Sequence, residues 1–586
     1  MKNQAKSLAE IRILTEINQQ LKEILDIKPE NFQSLEIFDL EVVPSPNIGD
    51  YSVPCFTLAK ALKKSPVEIS SLLAKNFKQT ELISRVQSFG PYLNIFLNPT
   101  EFSRLVLSEI YKLKEKYGSS KIGKGKKLMV EFFSPNTNKP LTIGHIRNIC
   151  LGASISKILK CCGYKIINST LYNDRGIAIA KTIVGYKKWG EKKTPKQVRQ
   201  KPDHFVGSFY VKFCQEEKND PNLENEAKRA LQEWEKGKRE IKSVWQKLMG
   251  WVLEGFKQTL EKLEIKNFDE EYYESEYYNK GKEIVEQGLK KGIFIKNQEG
   301  VILAKLEKLG IPDKIVLRPD ETSLYITQDL YLAYLKDKNN LDGSIYVVGS
   351  EQDLYFKQLF KILELLDFKN IDKYNHLSYG MIRLLDGKIK SREGVVKGTG
   401  ADDLICQLEK LALKEIENRY PDLSDKELKK RSAQIALAAL KFYILAVNPK
   451  TTMIFEPQKS ISLTGKTGPY LQYVNARINS IFEKNGKKIS AKVDFSLFKE
   501  QPEFELIKIL AKFPNVIYSS ALKYDPSDLT NYLYDLAKSF SSFYEKIPVI
   551  QAEKQTKKAR LFLINNVKIV LKTGLDLLGI PIPEKM

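Results

Sequence analysis

Histidine and cysteine are scarce, with three and six residues in a chain of 586. The cysteines are Cys55, Cys150, Cys161, Cys162, Cys214 and Cys406; adjacent Cys161 and Cys162 do not make a zinc spacing, and nothing resembles a disulfide framework. No protein-bound structural metal is expected, and the thiols are read as reduced, in a cytoplasmic setting. A run of about 18 apolar residues is also missing, so no membrane-spanning helix is expected. The opening Met-Lys-Asn-Gln-Ala-Lys carries charge and lacks the apolar core of a signal peptide, which argues against export.

Positive charge, by contrast, is plentiful. Lysine and arginine number 94 against 72 acidic residues, a net +22. Such an excess favours a polyanionic partner, nucleic acid above all, although a solvated lysine-rich surface gives the same count. The length requires several domains, roughly three to five.

Residues 1–117 read as a first unit. Leu8, Ile11, Leu14, Ile17 and Leu21 recur at helical spacing, and Tyr92-Leu-Asn-Ile-Phe-Leu97 reads as a strand. A basic helix over 106–116 leads into a glycine- and lysine-rich linker, 118–127. Residues 118–455 form the second unit. Leu128-Met-Val-Glu-Phe-Phe133 is a strand, 134–143 a polar loop with Pro135 and Pro140, and 144–162 a helix that stops at Gly163. Another strand follows at 165–171. This βαβ pattern predicts a parallel sheet with ligands at the strand C-termini. Residues about 185–295 are rich in lysine and glutamate and read as a helical insertion. Strands resume at 315–317 and 343–348, followed by a helix at 357–366. The last unit, 456–586, is helical, and Leu529, Tyr532, Leu533, Leu536, Phe540 and Phe543 make one apolar face.

Two segments carry chemistry. Ser134-Pro-Asn-Thr-Asn-Lys-Pro-Leu-Thr-Ile-Gly-His-Ile-Arg147 lies where a strand ends and a helix begins, a natural phosphate site. Gly144 would let an ATP base or ribose approach the backbone, and His145 would donate to a phosphate oxygen. Downstream, Gly387-Lys-Ile-Lys-Ser-Arg-Glu-Gly394 places two glycines and three cations in eight residues, suited to a loop that closes on polyphosphate. Alone, the first is also a chance histidine in a turn, and the second a solvated basic turn.

Together they resemble the H-I-G-H and K-M-S-K-S signatures of class I aminoacyl-tRNA synthetases. Thr142 replaces the first histidine and Ser391 the second lysine; the latter change is typical of arginyl-tRNA synthetases. The resemblance to that family extends along the chain. Gly49-Asp-Tyr-Ser52 and Gly90-Pro-Tyr-Leu-Asn-Ile-Phe96 resemble its N-terminal domain, and Glu131-Phe-Phe-Ser-Pro-Asn136 the strand end before its signature loop. Tyr325-Ile-Thr-Gln-Asp329 and Ser350-Glu-Gln-Asp353 resemble its amino-acid pocket; Thr467-Gly-Pro-Tyr-Leu-Gln-Tyr473 and Gly574-Leu-Asp-Leu-Leu-Gly579 resemble its anticodon domain.

The resemblance implies an α/β fold: a Rossmann-type parallel-sheet catalytic domain with a helical insertion, an N-terminal α+β tRNA-binding domain and a C-terminal all-α anticodon-binding domain. It implies ATP-dependent joining of L-arginine to tRNA(Arg) by a monomer, with Mg²⁺ accompanying the ATP. Catalysis would fall to His145, Lys388, Lys390 and Arg392. ATP would meet Thr142, Gly144, His145, Asp174, Gly176, Met381 and Lys388, and arginine would meet Glu131, Ser134, Asn136, Tyr325, Asp329 and Gln352. A buried guanidinium requires a carboxylate with planar reach, and Asp329 fits by position, with Tyr325 four residues earlier on one helix face. His204 and His376 fit no motif and are read as structural or surface residues. The rivals are another class I synthetase, for cysteine or glutamate, and an inactive tRNA-binding paralogue.

Overall fold

Apolar residues on both faces of 128–131 dictate a strand covered on two sides, and that strand is the centre of the fold. In the computed structural model, which describes residues 7–25, 40–43, 46–190, 192–319, 324–384, 400–485 and 489–586, five strands form a wholly parallel sheet. Their spatial order is Tyr374–Tyr379, Gly343–Gly349, Lys127–Glu131, Lys165–Tyr172, Glu270–Tyr273. The chain starts in the middle, winds to one edge, returns and winds to the other. The winding therefore reverses between Lys127–Glu131 and Gly343–Gly349, and a crevice opens there at the strand C-termini. The helix Ile143–Cys161 connects the central strand to its neighbour and is buried along most of its length.

Three elements differ from the sequence expectation. The central strand stops at Glu131, because Phe133 takes φ 65° and its N–H leaves the ladder for the Asn148 side chain. Lys314–Leu317 joins not the parallel sheet but an antiparallel one with Phe294–Lys296 and Ile302–Ala304. Short links between these strands permit antiparallel pairing, whereas parallel pairing needs a long crossover. The predicted insertion holds the helices Pro202–Glu216, Asn222–Glu235 and Arg239–Lys262, yet also sends Glu270–Tyr273 to the main sheet. At a sheet edge, the acidic Glu270 and Glu271 are tolerated.

The first unit pairs the helix Leu8–Leu25 with an antiparallel sheet whose hairpin, Ile83–Phe89 and Tyr92–Leu97, turns at Gly90 with φ 57°. The C-terminal unit is helical, and the apolar face from Leu529 to Phe543 is buried as its spacing requires. These two units touch directly. Lys508 lies 3.2 Å from Asp50, Asn515 donates to Glu10 at 2.8 Å, and the Tyr117 hydroxyl donates to the Leu510 carbonyl at 3.1 Å. Among the described residues, no helix is long and apolar enough to cross a membrane.

Inside the C-terminal bundle, Arg560 donates to buried Glu503 at 2.6 Å and to the Pro548 carbonyl at 2.7 Å. Removing one partner of such a pair costs about 3–5 kcal/mol, whereas replacing both by apolar groups is nearly neutral. Arg560→Leu is therefore expected to lower the urea midpoint clearly, and Arg560→Leu with Glu503→Leu to restore much of it. Equal midpoints for wild type and Arg560→Leu would show that the pair contributes nothing.

Candidate active site

The crevice begins with the loop that leaves the central strand. After the turn at Phe133 it runs to Thr142, which precedes the helix Ile143–Cys161 in extended conformation. The Thr142 backbone N–H donates to His145 Nδ1 at 3.0 Å, and the Thr142 hydroxyl lies 2.9 Å from the same nitrogen. Nδ1 is thereby an acceptor, and the ring proton belongs on Nε2. Burial, with help from the Lys139 charge, pushes the His145 pKa down to about 4. The side chain at the helix N-terminus is thus a neutral imidazole with a fixed tautomer. Gly144 has only the Thr142 hydroxyl within 4 Å of a would-be Cβ, so this helix start is bare backbone facing open space.

Two further residues of the same helix hold it in place. Asn148 accepts from the Phe133 N–H and donates to the Val347 carbonyl, spanning the point where the sheet divides. Arg147 is fully buried and, among the described residues, has no carboxylate partner. It donates instead to the carbonyls of Gly380 at 2.6 Å, Met381 at 3.2 Å, Asn448 at 3.4 Å, Pro449 at 3.0 Å and Thr451 at 2.8 Å. Burial lowers its pKa to about 10, which leaves it charged at neutral pH.

Beside the helix start lies a cavity of about 780 Å³. All six residues assigned to arginine from the sequence line it: Glu131, Ser134, Asn136, Tyr325, Asp329 and Gln352. Glu131 is buried at the strand end and accepts from the fully buried Lys336, whose ammonium sits 4.2 Å from the Tyr346 ring centre. Asp329 accepts from the Tyr355 hydroxyl. Desolvation raises its pKa to about 7, against the lowering effect of that hydrogen bond, and the Glu131 charge adds to the rise. Among the described residues, Asp329 has no ion-pair partner, and the Lys336 charge only partly opposes the rise.

Other assigned residues fall elsewhere. Lys388, Lys390 and Arg392 lie outside the described residues. The described chain on either side of them is anchored at the same helix: Ile382–Leu384 pairs with Met453–Phe455 just past the Arg147 clamp, and Gly400 bridges to Thr142. Met381 is 48% exposed, before that strand. Asp174 is buried, and its two oxygens accept from the Ser275 N–H at 2.8 Å and hydroxyl at 2.6 Å. Gly176, with φ 101° and nothing near its would-be Cβ, opens the helix Ile177–Trp189.

Lys139, in the signature loop, escaped the sequence reading. It is half-buried beside His145, has no ion-pair partner among the described residues, and burial lowers its pKa. Its position as the loop's lysine, just before Pro140, was the available signal. Of the remaining histidines, His376 stacks on Phe356 at 4.3 Å, and His204 lies 3.2 Å from Asp402. Asp203, His204 and Asp402 stand close enough to share a metal ion. The Lys201 ammonium already sits there, 3.0 Å from Asp203 and 2.8 Å from Asp402, and takes the place of a cation.

The comparisons with known proteins agree with this geometry. Three family models match in order: the arginyl tRNA synthetase N-terminal domain over residues 12–97, the class I (R) tRNA synthetase catalytic domain over 106–456, and the DALR anticodon binding domain over 471–586. The chain is 42% identical to an arginine–tRNA ligase of Treponema denticola over 96% of its own length and 97% of the relative's. It is 39% identical to the same enzyme of Borreliella burgdorferi, over 94% of each. Among solved structures, the arginyl-tRNA synthetase of Thermus thermophilus superposes with a TM-score of 0.81 at 25% identity, over 98% of this chain and all of that one.

Because the chain has only three histidines, the state of His145 can be measured by nitrogen-15 NMR once His204→Gln and His376→Gln assign the signals. Titration of His145 near pH 4, with the neutral ring protonated on Nε2, is expected. A midpoint at or above the ordinary value of about 6.5 would mean that burial does not depress the ring's pKa.

Proposed function

This chain belongs to the arginyl-tRNA synthetases, and from that premise we propose how its residues divide the family's ATP-driven joining of arginine to tRNA. The observation that carries the proposal is the convergence of six assigned residues on one cavity around the Asp329 carboxylate. Asp329 takes the guanidinium of the substrate, a planar cation matched to a carboxylate. Tyr355 keeps Asp329 oriented, while Tyr325 and Gln352 line the rest of that end. Glu131 holds the α-amino group, oriented by Lys336, and Ser134 and Asn136 stand beside the substrate carboxylate.

ATP, as its magnesium complex, is the second substrate and lies across the crevice at the helix start. A carboxylate oxygen of arginine bonds to the α-phosphorus, and the bond from that phosphorus to the bridging oxygen of pyrophosphate breaks. Both partners are anionic, so the protein contributes position and opposite charge. The exposed N-terminus of the helix Ile143–Cys161 and the His145 Nε2–H donate to phosphate oxygens. Lys388, Lys390, Arg392 and Lys139 supply positive charge, where Ser391 gives none. Thr142 acts through His145, since its hydroxyl and N–H both meet that ring. Met381 and Gly176 offer accessible surface to the nucleotide. Asp174, bonded to Ser275, fixes the turn before Gly176 and need not touch ATP. The 2′-hydroxyl of the terminal adenosine of tRNA(Arg) then attacks the aminoacyl carbonyl carbon, and AMP leaves. We assign residues 1–117 to tRNA binding, 118–455 to catalysis and 456–586 to the anticodon.

ATP–pyrophosphate exchange, run with each amino acid in the presence and absence of tRNA, tests the assignment. Exchange with arginine alone among the amino acids is expected, and exchange driven equally by another would overturn it.

Asp329 gives a sharper prediction. Its carboxyl titrates near 7 in the free protein, and only the ionised form attracts a guanidinium, so protonation competes with arginine. KM for arginine should be flat above pH 8 and rise about tenfold per unit well below pH 7. Asp329→Asn should raise KM for arginine strongly, remove this pH dependence and leave KM for ATP nearly unchanged. Wild-type arginine dependence in Asp329→Asn would move the specificity carboxylate elsewhere, with Glu131 next to test.

A further inference from the structure

A second cavity, of about 910 Å³, lies at the far end of the helix that starts at the active site. That helix has 19 residues, about 28 Å at 1.5 Å per residue, so the two sites are separate. Three parts of the chain meet here: the turn after the helix Pro99–Leu113, the last turn of Ile143–Cys161, and the helix Lys554–Leu577. Each contributes lysine. Lys114, Lys116, Lys160 and Lys572 line the cavity with no ion-pair partner among the described residues, and Lys157 reaches across it to Asp576 at 3.1 Å.

Lysines at a helix C-terminus are ordinary on Lys157 and Lys160 alone, because they complement the helix dipole. Lys114 and Lys116 likewise follow the end of the helix Pro99–Leu113, but no single helix dipole accounts for lysines from three elements meeting at one cavity. Only Glu115 and Asp576 among the lining residues are acidic. Lys114 also holds φ 51° and ψ −125°, a backbone conformation unfavourable for a residue with a side chain. Beneath the charges, Tyr111, Ile569 and Leu577 form an apolar wall. A concave site of this volume, apolar inside and cationic at the rim, matches a ligand with an apolar body and several negative charges.

We propose that this cavity binds a nucleotide through its phosphates, with Lys114, Lys116, Lys160 and Lys572 as the phosphate contacts and Tyr111 beside the base or ribose. The nucleotide has two possible sources, a free nucleoside polyphosphate or a nucleotide of the bound tRNA, and the experiment separates them. The full-length enzyme is first loaded with a sulfamoyl analogue of arginyl-adenylate to block the catalytic crevice. Binding of a labelled non-hydrolysable ATP analogue is then followed by equilibrium dialysis, and tRNA affinity is measured against salt concentration. Wild type is compared with Lys160→Gln/Lys572→Gln and with Lys160→Glu/Lys572→Glu, substitutions at exposed positions that leave the core intact.

A free-nucleotide site predicts that blocked wild-type enzyme binds the analogue and that both variants weaken it on the order of 10-fold, the loss of one charged hydrogen bond or more. A tRNA site predicts no analogue binding but a comparable loss of tRNA affinity, with a shallower salt slope. In either case KM for ATP in the exchange reaction stays at its wild-type value. Analogue binding and tRNA affinity both indifferent to the substitutions would overturn the proposal.

Discussion

A parallel sheet that reverses its winding must open between two strands, and the groups bared at that opening have to be held. In this protein the Asn148 side chain closes the gap, accepting from Phe133 on the central strand's exit and donating to Val347 on its neighbour. The catalytic geometry depends on that bridge. It permits the unusual φ of 65° at Phe133, which ends the strand at Glu131 and turns the chain into the loop bearing Ser134, Asn136 and Lys139. It also fixes the helix from its second turn, so that Thr142 and His145 face the crevice. Strain of this kind persists only where the surroundings over-determine it, and here they are a hydrogen-bonded amide and a packed ring.

The neighbouring Arg147 extends the constraint over a greater distance. A guanidinium buried without a carboxylate is costly unless its donors are met, and five backbone carbonyls meet it. Those carbonyls come from the exit of the last sheet strand and from the chain before Met453–Phe455. One side chain thus ties the signature helix to the roots of the segment bearing Lys388 and to the start of the C-terminal helices.

Much of this was legible in the residues. Helical and βαβ spacing placed the central strand, its helix and the next strand to within two residues, because burial on both faces leaves a strong apolar pattern. The grouping of the six assigned residues around one cavity was legible only through the family resemblance, since Asp329 and Glu131 are 198 positions apart by number and no local pattern joins them. What stayed hidden was topological or pairwise. Glu270–Tyr273 carries two acids and reads as helix, yet it completes the sheet at an edge. Ile315 to Leu317 is apolar enough for the main sheet, but its short connections keep it antiparallel. Lys336, a lysine in a helix, gives no sign in sequence that it is wholly buried against Glu131.

The two departures from the class I signatures become intelligible as one redistribution of charge. A histidine at position 142 would bring a second ring to the helix start; threonine brings a short hydroxyl beside His145 Nδ1. With Nδ1 occupied by the backbone N–H and the hydroxyl, and with burial and Lys139 opposing protonation, His145 is a neutral donor. A neutral donor can orient a phosphate oxygen but cannot offset its charge. In the proposed division of roles the charge comes from lysines and arginine, of which Ser391 leaves one fewer in the Lys388 segment. Lys139, half-buried beside His145 and without an ion-pair partner among the described residues, is the cation we propose in its place. On that proposal, orientation by a neutral ring and neutralisation by an ammonium are separate tasks.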